Sequence, residues 1–312
     1  MSDRSAVFCH EALFYGGDEE FLAGTLPFIN EATATGEPIL IAVSDAKISL
    51  LEANLNGRPG TVRFEDITQI GRNPARILPL WHQFVGDHAI AGRPVRGIGE
   101  PVLTGRSPAE LIECEHNESL LNLAFADAPK WRLMCPYDTE AVDAAVIEAA
   151  ERSHPFIVDD GLVRPNDAYL APDQGPGPLD DPLPEPSQEP EEMSFALDSL
   201  NELRSFAYEQ ARSADLDAER AANLVLAISE VATNSVRHGG GRGTARVWRE
   251  ADALVCDVTD GGRIESPLVG RSRPAPTEVE GRGLWLVNQL CDLVQIRSSA
   301  SGSVVRLHIR RA

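Results

Sequence analysis

Glu230-x-x-x-Asn234, Asp260-x-Gly262 and Gly281-Arg282-Gly283-Leu284 follow one another in the last third of this 312-residue chain, and each combination has a chemical use. A carboxylate and an amide oxygen spaced four residues apart sit one turn apart on a helix. There they can hold or order Mg²⁺ through oxygen ligands or water, with the carboxylate free to take a proton. An aspartate delivered to a loop can accept from an exocyclic amine, and a glycine two residues later lets the backbone approach a flat base. Gly-Arg-Gly ahead of an apolar run opens a helix whose free N–H groups and positive end face phosphates. In this order the residues read as an ATP site.

Regular elements must position these groups. Leu224, Ile228, Val231 and Ser235 recur at helical spacing within residues 221–238, which leaves Glu230, Asn234 and His238 together on another face. The Gly239-Gly240-Gly241 run ends that helix. Residues 244–249 and 254–259 read as neighbouring strands, the second delivering Asp260; residues 284–291 read as a helix and 304–309 as a closing strand. Between Gly262 and Gly281 lie Arg263, Arg271, Arg273, Pro267, Pro274 and Pro276, too proline-broken for a regular element, which predicts a lid or binding loop. His238 reads as a helix-terminal residue set against the dipole, and Trp248 and Trp285 as core or interface aromatics.

On these residues the C-terminal region resembles the GHKL ATPase superfamily, which includes histidine-kinase catalytic domains, and within it the small anti-sigma-factor serine kinases of the RsbA/RsbW type. The resemblance implies an α+β sandwich of the Bergerat type. It also implies that Asn234 ligates Mg²⁺, that Glu230 acts as general base or orients the attacking hydroxyl, and that Asp260 binds the adenine amino group over Gly262. Gly281, Arg282 and Gly283 would wrap the phosphates, with Arg282 or a lid arginine offsetting charge, and Ser303 would lie near the adenine. The implied activity is ATP-dependent phosphorylation of a serine or threonine on an anti-sigma-factor antagonist, or retention of a sigma factor, by partner switching. Similar kinases pair through their ATP domains, which implies a homodimer.

Two alternatives stand beside this reading. In one, the domain binds ATP without catalysis and sequesters a sigma factor. The other, a sensor histidine kinase, needs a phospho-accepting histidine on a helical hairpin upstream, and residues 193–222 contain none.

Composition bounds the partners. A formal net charge of -20 opposes direct nucleic-acid binding, because no basic patch offsets phosphate repulsion. No apolar run reaches membrane-span length and the start lacks an apolar signal core, so a cytoplasmic protein without membrane contact is expected. The 5 cysteines include no CxxC pair and read as reduced thiols.

Residues 159–193 are rich in proline, glycine and acid, and read as a disordered linker. It would separate an N-terminal domain, 1–158, from a C-terminal one, 194–312. The N-terminal stretch alternates apparent helices (21–31, 46–55, 73–85, 108–125) with short apolar strands (38–43, 62–64, 95–98, 131–135). This predicts an α/β fold with a mostly parallel sheet and helices on both faces.

The strings Phe8-Cys-His-Glu-Ala-Leu-Phe-Tyr15, Gly71-Arg-Asn-Pro-Ala-Arg76, Arg96-Gly-Ile-Gly-Glu-Pro101, His116-Asn-Glu-Ser-Leu-Leu-Asn122 and Cys135-Pro-Tyr-Asp138 resemble the MEDS sensory domain. The resemblance implies a small-molecule sensor. The layout is also similar to a RecA-like nucleotide-binding sheet, yet no GxxxxGK[ST] appears. His10, Glu11, Arg96, Glu100 and His116 are the candidate sensory pocket for a polar ligand, with Arg96 and Glu100 equally readable as a structural ion pair. Cys9, Cys114 and Cys135, with His10 and His116, invite a metal reading, but none shows zinc-finger spacing.

Overall fold

The computed structural model describes residues 8–55, 60–88, 93–128, 130–159, 161–172, 174, 177–274 and 281–311. The chain divides into two compact units, Met1–Gly175 and Pro176–Ala312.

The first unit runs β1 (Cys9–Tyr15), α1 (Gly17–Thr35), β2 (Ile39–Val43), α2 (Asp45–Asn54), β3 (Val62–Asp66), α3 (Ile67–Ile70), α4 (Ile77–His88), β4 (Val95–Gly99), α5 (Pro108–Ala124), β5 (Trp131–Asp138), α6 (Ala144–Ser153), β6 (Phe156–Asp159) and β7 (Leu162–Pro165). Among the described residues the strands form a seven-stranded sheet in the order β3-β2-β4-β5-β1-β6-β7. All pairs are parallel except β6 with β7. The fully buried Ile39–Val43 run shows why a covered parallel strand reads as continuously apolar.

Side-chain alternation splits this sheet into two faces. Leu13, Tyr15, Ile39, Ile41, Val43, Ile98 and Met134 pack with Phe21, Phe28 and Ile29 of α1 and Leu51 of α2. On the other face Trp81 of α4 lies against Gly97 and Leu133, leaving no room for a β-carbon at position 97. The turn from β1 into α1, where a phosphate loop would belong, is acidic. Asp18, Glu19 and Glu20 fill the first turn and the Gly16 N–H donates to Glu20 at 2.7 Å, so this helix start repels phosphate.

The second unit runs β8 (Glu191–Ala196), α7 (Leu200–Ser213), α8 (Ala218–His238), β9 (Arg242–Arg249), β10 (Ala253–Asp260), α9 (Arg282–Leu290), β11 (Leu293–Ser299) and β12 (Gly302–Arg310). Its antiparallel sheet has the order β11-β12-β10-β9-β8. The Asp217 side chain accepts from the Arg220 N–H at 2.8 Å to start α8, and Gly239 ends it. Between those caps Ala221, Leu224, Ala227, Ile228, Val231, Ala232 and Ser235 are buried, three or four residues apart, against a core shared with Val247, Cys256, Val287 and Leu307. This is the α+β arrangement expected.

The stretch 159–193, expected to be a disordered linker, carries structure at both ends. Strand β7 pairs with β6, and β8 forms the outer strand beside β9. Between them, the Leu179 carbonyl accepts from the Ser298 N–H at 2.9 Å and the Pro184 carbonyl accepts from Arg306 at 2.9 Å. Proline lacks an N–H but keeps its carbonyl, so a proline-rich segment without regular structure can still accept from the sheet it lies against. Composition alone hides this use. No helix among the described residues is long and apolar enough to cross a membrane.

Candidate functional site

Three elements of the second unit converge on one cavity of about 390 Å³, lined among others by Asn234, Gly239, Asp260, Gly262, Arg263, Gly281, Gly283 and Ser303. Helix α8 lines it with Val231, Asn234 and His238, while Glu230, one turn before Asn234, faces Gly283 beside it. A β-carbon placed on Gly283 would stand 3.1 Å from Glu230 Oε2 and 3.2 Å from Asn234 Nδ2, so the first turn of α9 abuts the α8 face that carries both. Gly281 caps α9 with φ +83, a left-handed conformation that glycine adopts without strain. Arg282 is exposed in the first turn of α9, and Arg263 lines the cavity.

Asp260 ends β10 and is held on three sides. Its Oδ2 accepts from the Ser235 hydroxyl at 2.6 Å, and its Oδ1 accepts from the Ser303 hydroxyl at 3.0 Å and the Gly262 N–H at 2.8 Å. A carboxylate fixed by three donors cannot rotate away, yet still offers lone pairs to a further donor in the cavity. Gly262 lies so close to Gly239 that a β-carbon there would meet the Gly239 Cα at 2.8 Å. Any larger residue would also meet the His238 carbonyl at 2.8 Å and Asp260 Oδ1 at 3.0 Å, so only glycine fits between the end of α8 and Asp260.

Sequence reasoning missed Ser235 as a site residue, since it falls on the buried stripe of α8; its hydroxyl is the signal, because a polar group on an apolar stripe needs a partner. It also gave Gly239 only a helix-ending role. In the predicted lid, Arg271 is buried and Arg273 exposed, and the Asn288 side chain donates to the Gly270 carbonyl at 3.0 Å. Pro276 lies outside the described residues.

The five residues of the expected sensory pocket lie in separate groups of the first unit. His10 and Glu11 are consecutive on β1 and so point to opposite faces of the sheet. Glu11 pairs with Arg132, at 2.7 Å to Nε and 3.1 Å to Nη2. Arg96 lies on the same face, bound to Glu31 at 2.6 Å and to Glu37, and both Glu11 and Arg96 line a cavity of about 490 Å³. Glu100 lies beyond the far end of β4, where it pairs with Lys47 and accepts from the Ser44 N–H at 2.9 Å. Arg96 and Glu100 therefore each have other ion partners. His116 on α5 stands 3.6 Å from Glu113.

His10 belongs to a different group. Its Nε2 is 3.4 Å from Glu118 Oε2 and 3.4 Å from Cys135 Sγ, and its ring centroid is 4.0 Å from that of His154. Burial, and then the neighbouring His154, hold the His10 pKa down to about 4, so its ring is neutral near pH 7.

Comparison with known proteins follows the same division. Residues 9–155 match the family described as MEDS, the methanogen/methylotroph DcmR sensory domain, and residues 193–309 match the histidine kinase-like ATPase domain family. No curated protein matches the chain. Among solved structures it is similar to the RsbU and RsbW domains of Rv1364c from Mycobacterium tuberculosis, at 20% identity over 39% of this chain and 32% of that one, with a TM-score of 0.31. The chain thus spans about a third of that protein's length. It is also similar to the Acinetobacter baumannii histidine kinase AdeS, at 14% identity over 38% of this chain and 67% of that one, with a TM-score of 0.25. For the catalytic domain of the histidine kinase ThkA the values are 15% identity, 39% and 96% coverage, and a TM-score of 0.26. The polypeptide combines an N-terminal MEDS domain with a C-terminal histidine kinase-like ATPase domain.

Proposed function

We propose that the C-terminal domain is an ATP-dependent serine/threonine protein kinase of the anti-sigma-factor type, controlled by ligand sensing in the MEDS domain. The observation that carries the reading is the apposition of Gly283 with Glu230 and Asn234, which puts an acid, an amide and a helix N-terminus around one point. That combination suits a terminal phosphate and the hydroxyl that attacks it. The free N–H groups of α9 bind phosphate oxygens, Arg282 or Arg263 offsets their charge, and Asp260 accepts from the adenine amino group. Mg²⁺, when bound at Asn234, supplies charge neutralisation between phosphates.

Glu230 accepts the proton of the substrate hydroxyl as its oxygen bonds to the γ-phosphorus and the bond to the ADP oxygen breaks. The phosphate added to a serine or threonine of an antagonist protein brings negative charge to its interface and releases it. A histidine-kinase reading lacks its acceptor, since no histidine lies between His154 and His238.

The test is transfer of label from γ-labelled ATP, with Mg²⁺, to a candidate antagonist by the purified full chain. Acid-stable label on serine or threonine is expected, and Glu230→Ala should abolish it while sigma-factor binding persists. ATP binding without transfer would leave a nucleotide-gated sequestering module in place of a kinase.

A further inference from the structure

The buried group around His10 has the composition and spacing of a metal centre. His10 Nε2, Glu118 Oε2, Cys135 Sγ and an imidazole nitrogen of His154 all lie within 4.8 Å of one another. They come from β1, α5, β5 and the residue that follows α6, so the fold alone brings them together. His10 and His154 are 0% exposed, Cys135 2% and Glu118 3%, so bulk water does not solvate the group.

Hydrogen bonds on the outer side fix which ring nitrogens face inward. His154 Nδ1 is 2.7 Å from the Ala150 carbonyl, which can only accept, so Nδ1 carries the proton. His10 Nδ1 is 3.1 Å from Asn122 Oδ1, and the Asn122 amide is oriented by donating to the Ser153 carbonyl at 2.7 Å. In the Nδ1–H tautomer that these contacts select, both Nε2 atoms turn lone pairs inward, each 3.4 Å from the same Glu118 oxygen. Among the described residues neither Glu118 Oε2 nor His154 Nε2 has a hydrogen-bond partner. Acceptors facing one another in a dry interior are unfavourable unless a cation lies between them.

Three of the six donor-to-donor distances suit such a cation directly, and the whole set lies within 4.8 Å. Tetrahedral bonds of about 2.0–2.3 Å to N, O and S place neighbouring donor atoms about 3.3–3.6 Å apart. The His10–Glu118, His154–Glu118 and His10–Cys135 separations are each 3.4 Å.

We propose that the MEDS domain binds one divalent transition-metal ion of the zinc class through His10 Nε2, His154 Nε2, Glu118 Oε2 and Cys135 Sγ. Two imidazoles, a carboxylate and a thiolate form a borderline-soft set that favours zinc over magnesium or calcium. Four protein ligands leave no open position, so the ion ties β1, α5, β5 and α6 together. Binding releases the Cys135 thiol proton to solvent. Asn122, which orients His10 from outside the ligand set, is a positioning residue.

The test uses the full chain, with metal content measured as purified and Co²⁺ added after chelator treatment. About one zinc-class ion per chain is expected, and Co²⁺ should give intense tetrahedral visible bands with a thiolate-to-cobalt charge-transfer band. Cys135→Ser should remove the charge-transfer band, and Asn122→Ala should weaken Co²⁺ affinity about 10- to 100-fold. Cys114→Ser, which alters a buried thiol outside the ligand set, should leave the spectrum unchanged. A chelator-treated chain that keeps its far-ultraviolet circular dichroism yet takes up no Co²⁺ overturns the proposal. So does a Cys135→Ser spectrum identical to that of the unaltered chain.

Discussion

The Ser235 hydroxyl donates to Asp260 Oδ2 at 2.6 Å, joining the penultimate turn of α8 to the end of β10 across the floor of the cavity. The helix that carries Glu230 and Asn234 thereby also orients the carboxylate proposed to receive the adenine.

Ser235→Ala should weaken ATP binding about tenfold, because a hydrogen bond to a charged group contributes about 1.5 kcal/mol or more. Titration calorimetry of variant and parent checks this. Asp260→Asn offers a donor where the parent only accepts, so the preference for ATP over GTP should collapse. An unchanged preference would place the base elsewhere.

Gly283→Ala should separate stability from binding. Alanine is favoured over glycine within a helix by about 0.5–1 kcal/mol, which the close approach to Glu230 and Asn234 offsets, so Tm should change little. The added methyl, however, sits 3.1 Å from Glu230 Oε2 and 3.2 Å from Asn234 Nδ2, in the space proposed for phosphate oxygens and Mg²⁺. Nucleotide affinity should fall at least roughly tenfold, the cost of a lost charge-assisted hydrogen bond. Thermal melts with and without Mg-ATP report both effects.

Glu230→Gln keeps the shape of the side chain and removes its basicity. Turnover should drop about 10²- to 10⁴-fold, as loss of general-base catalysis does, with nucleotide affinity nearly unchanged. Equal losses in binding and turnover would instead make Glu230 a nucleotide ligand.

In the first unit, Arg132→Ala strands the Glu11 carboxylate, which is 0% exposed and bound by Arg132 through both oxygens. Removing one partner of such a pair costs about 3–5 kcal/mol. Denaturant unfolding should show this loss, and the double variant Arg132→Ala/Glu11→Gln should recover part of it.

The two units were unequally legible. In the second, the site residues sit on elements whose periodicity is plain: α8 shows its buried stripe, and β10 and α9 are short, apolar and bounded by glycine or aspartate. Local patterning could therefore place Glu230, Asn234, Asp260 and Gly283 on the right elements. In the first unit the strand β1 was not read as a strand, although it pairs with both β5 and β6. Its buried His10 and Glu11 break the apolar pattern, and they are tolerated because Arg132 and the Glu118 group lie across from them. The first half of β8, Glu191 to Met193, falls in the stretch dominated by proline and acid that reads as linker, because its stabilising partner β9 is distant in sequence.

By itself the sequence determined the α/β and α+β classes, the elements that carry the nucleotide-type residues, and the spacing of acid, amide, aspartate and glycines, because each depends on spacings of a few residues. Only the tertiary structure decided that Ser235 and Ser303 clamp one carboxylate, and that His10 turns away from Glu11 and meets Glu118, Cys135 and His154. Those partners lie far apart along the chain. Their meeting is fixed by strand order, sheet face and helix packing, which no local spacing encodes.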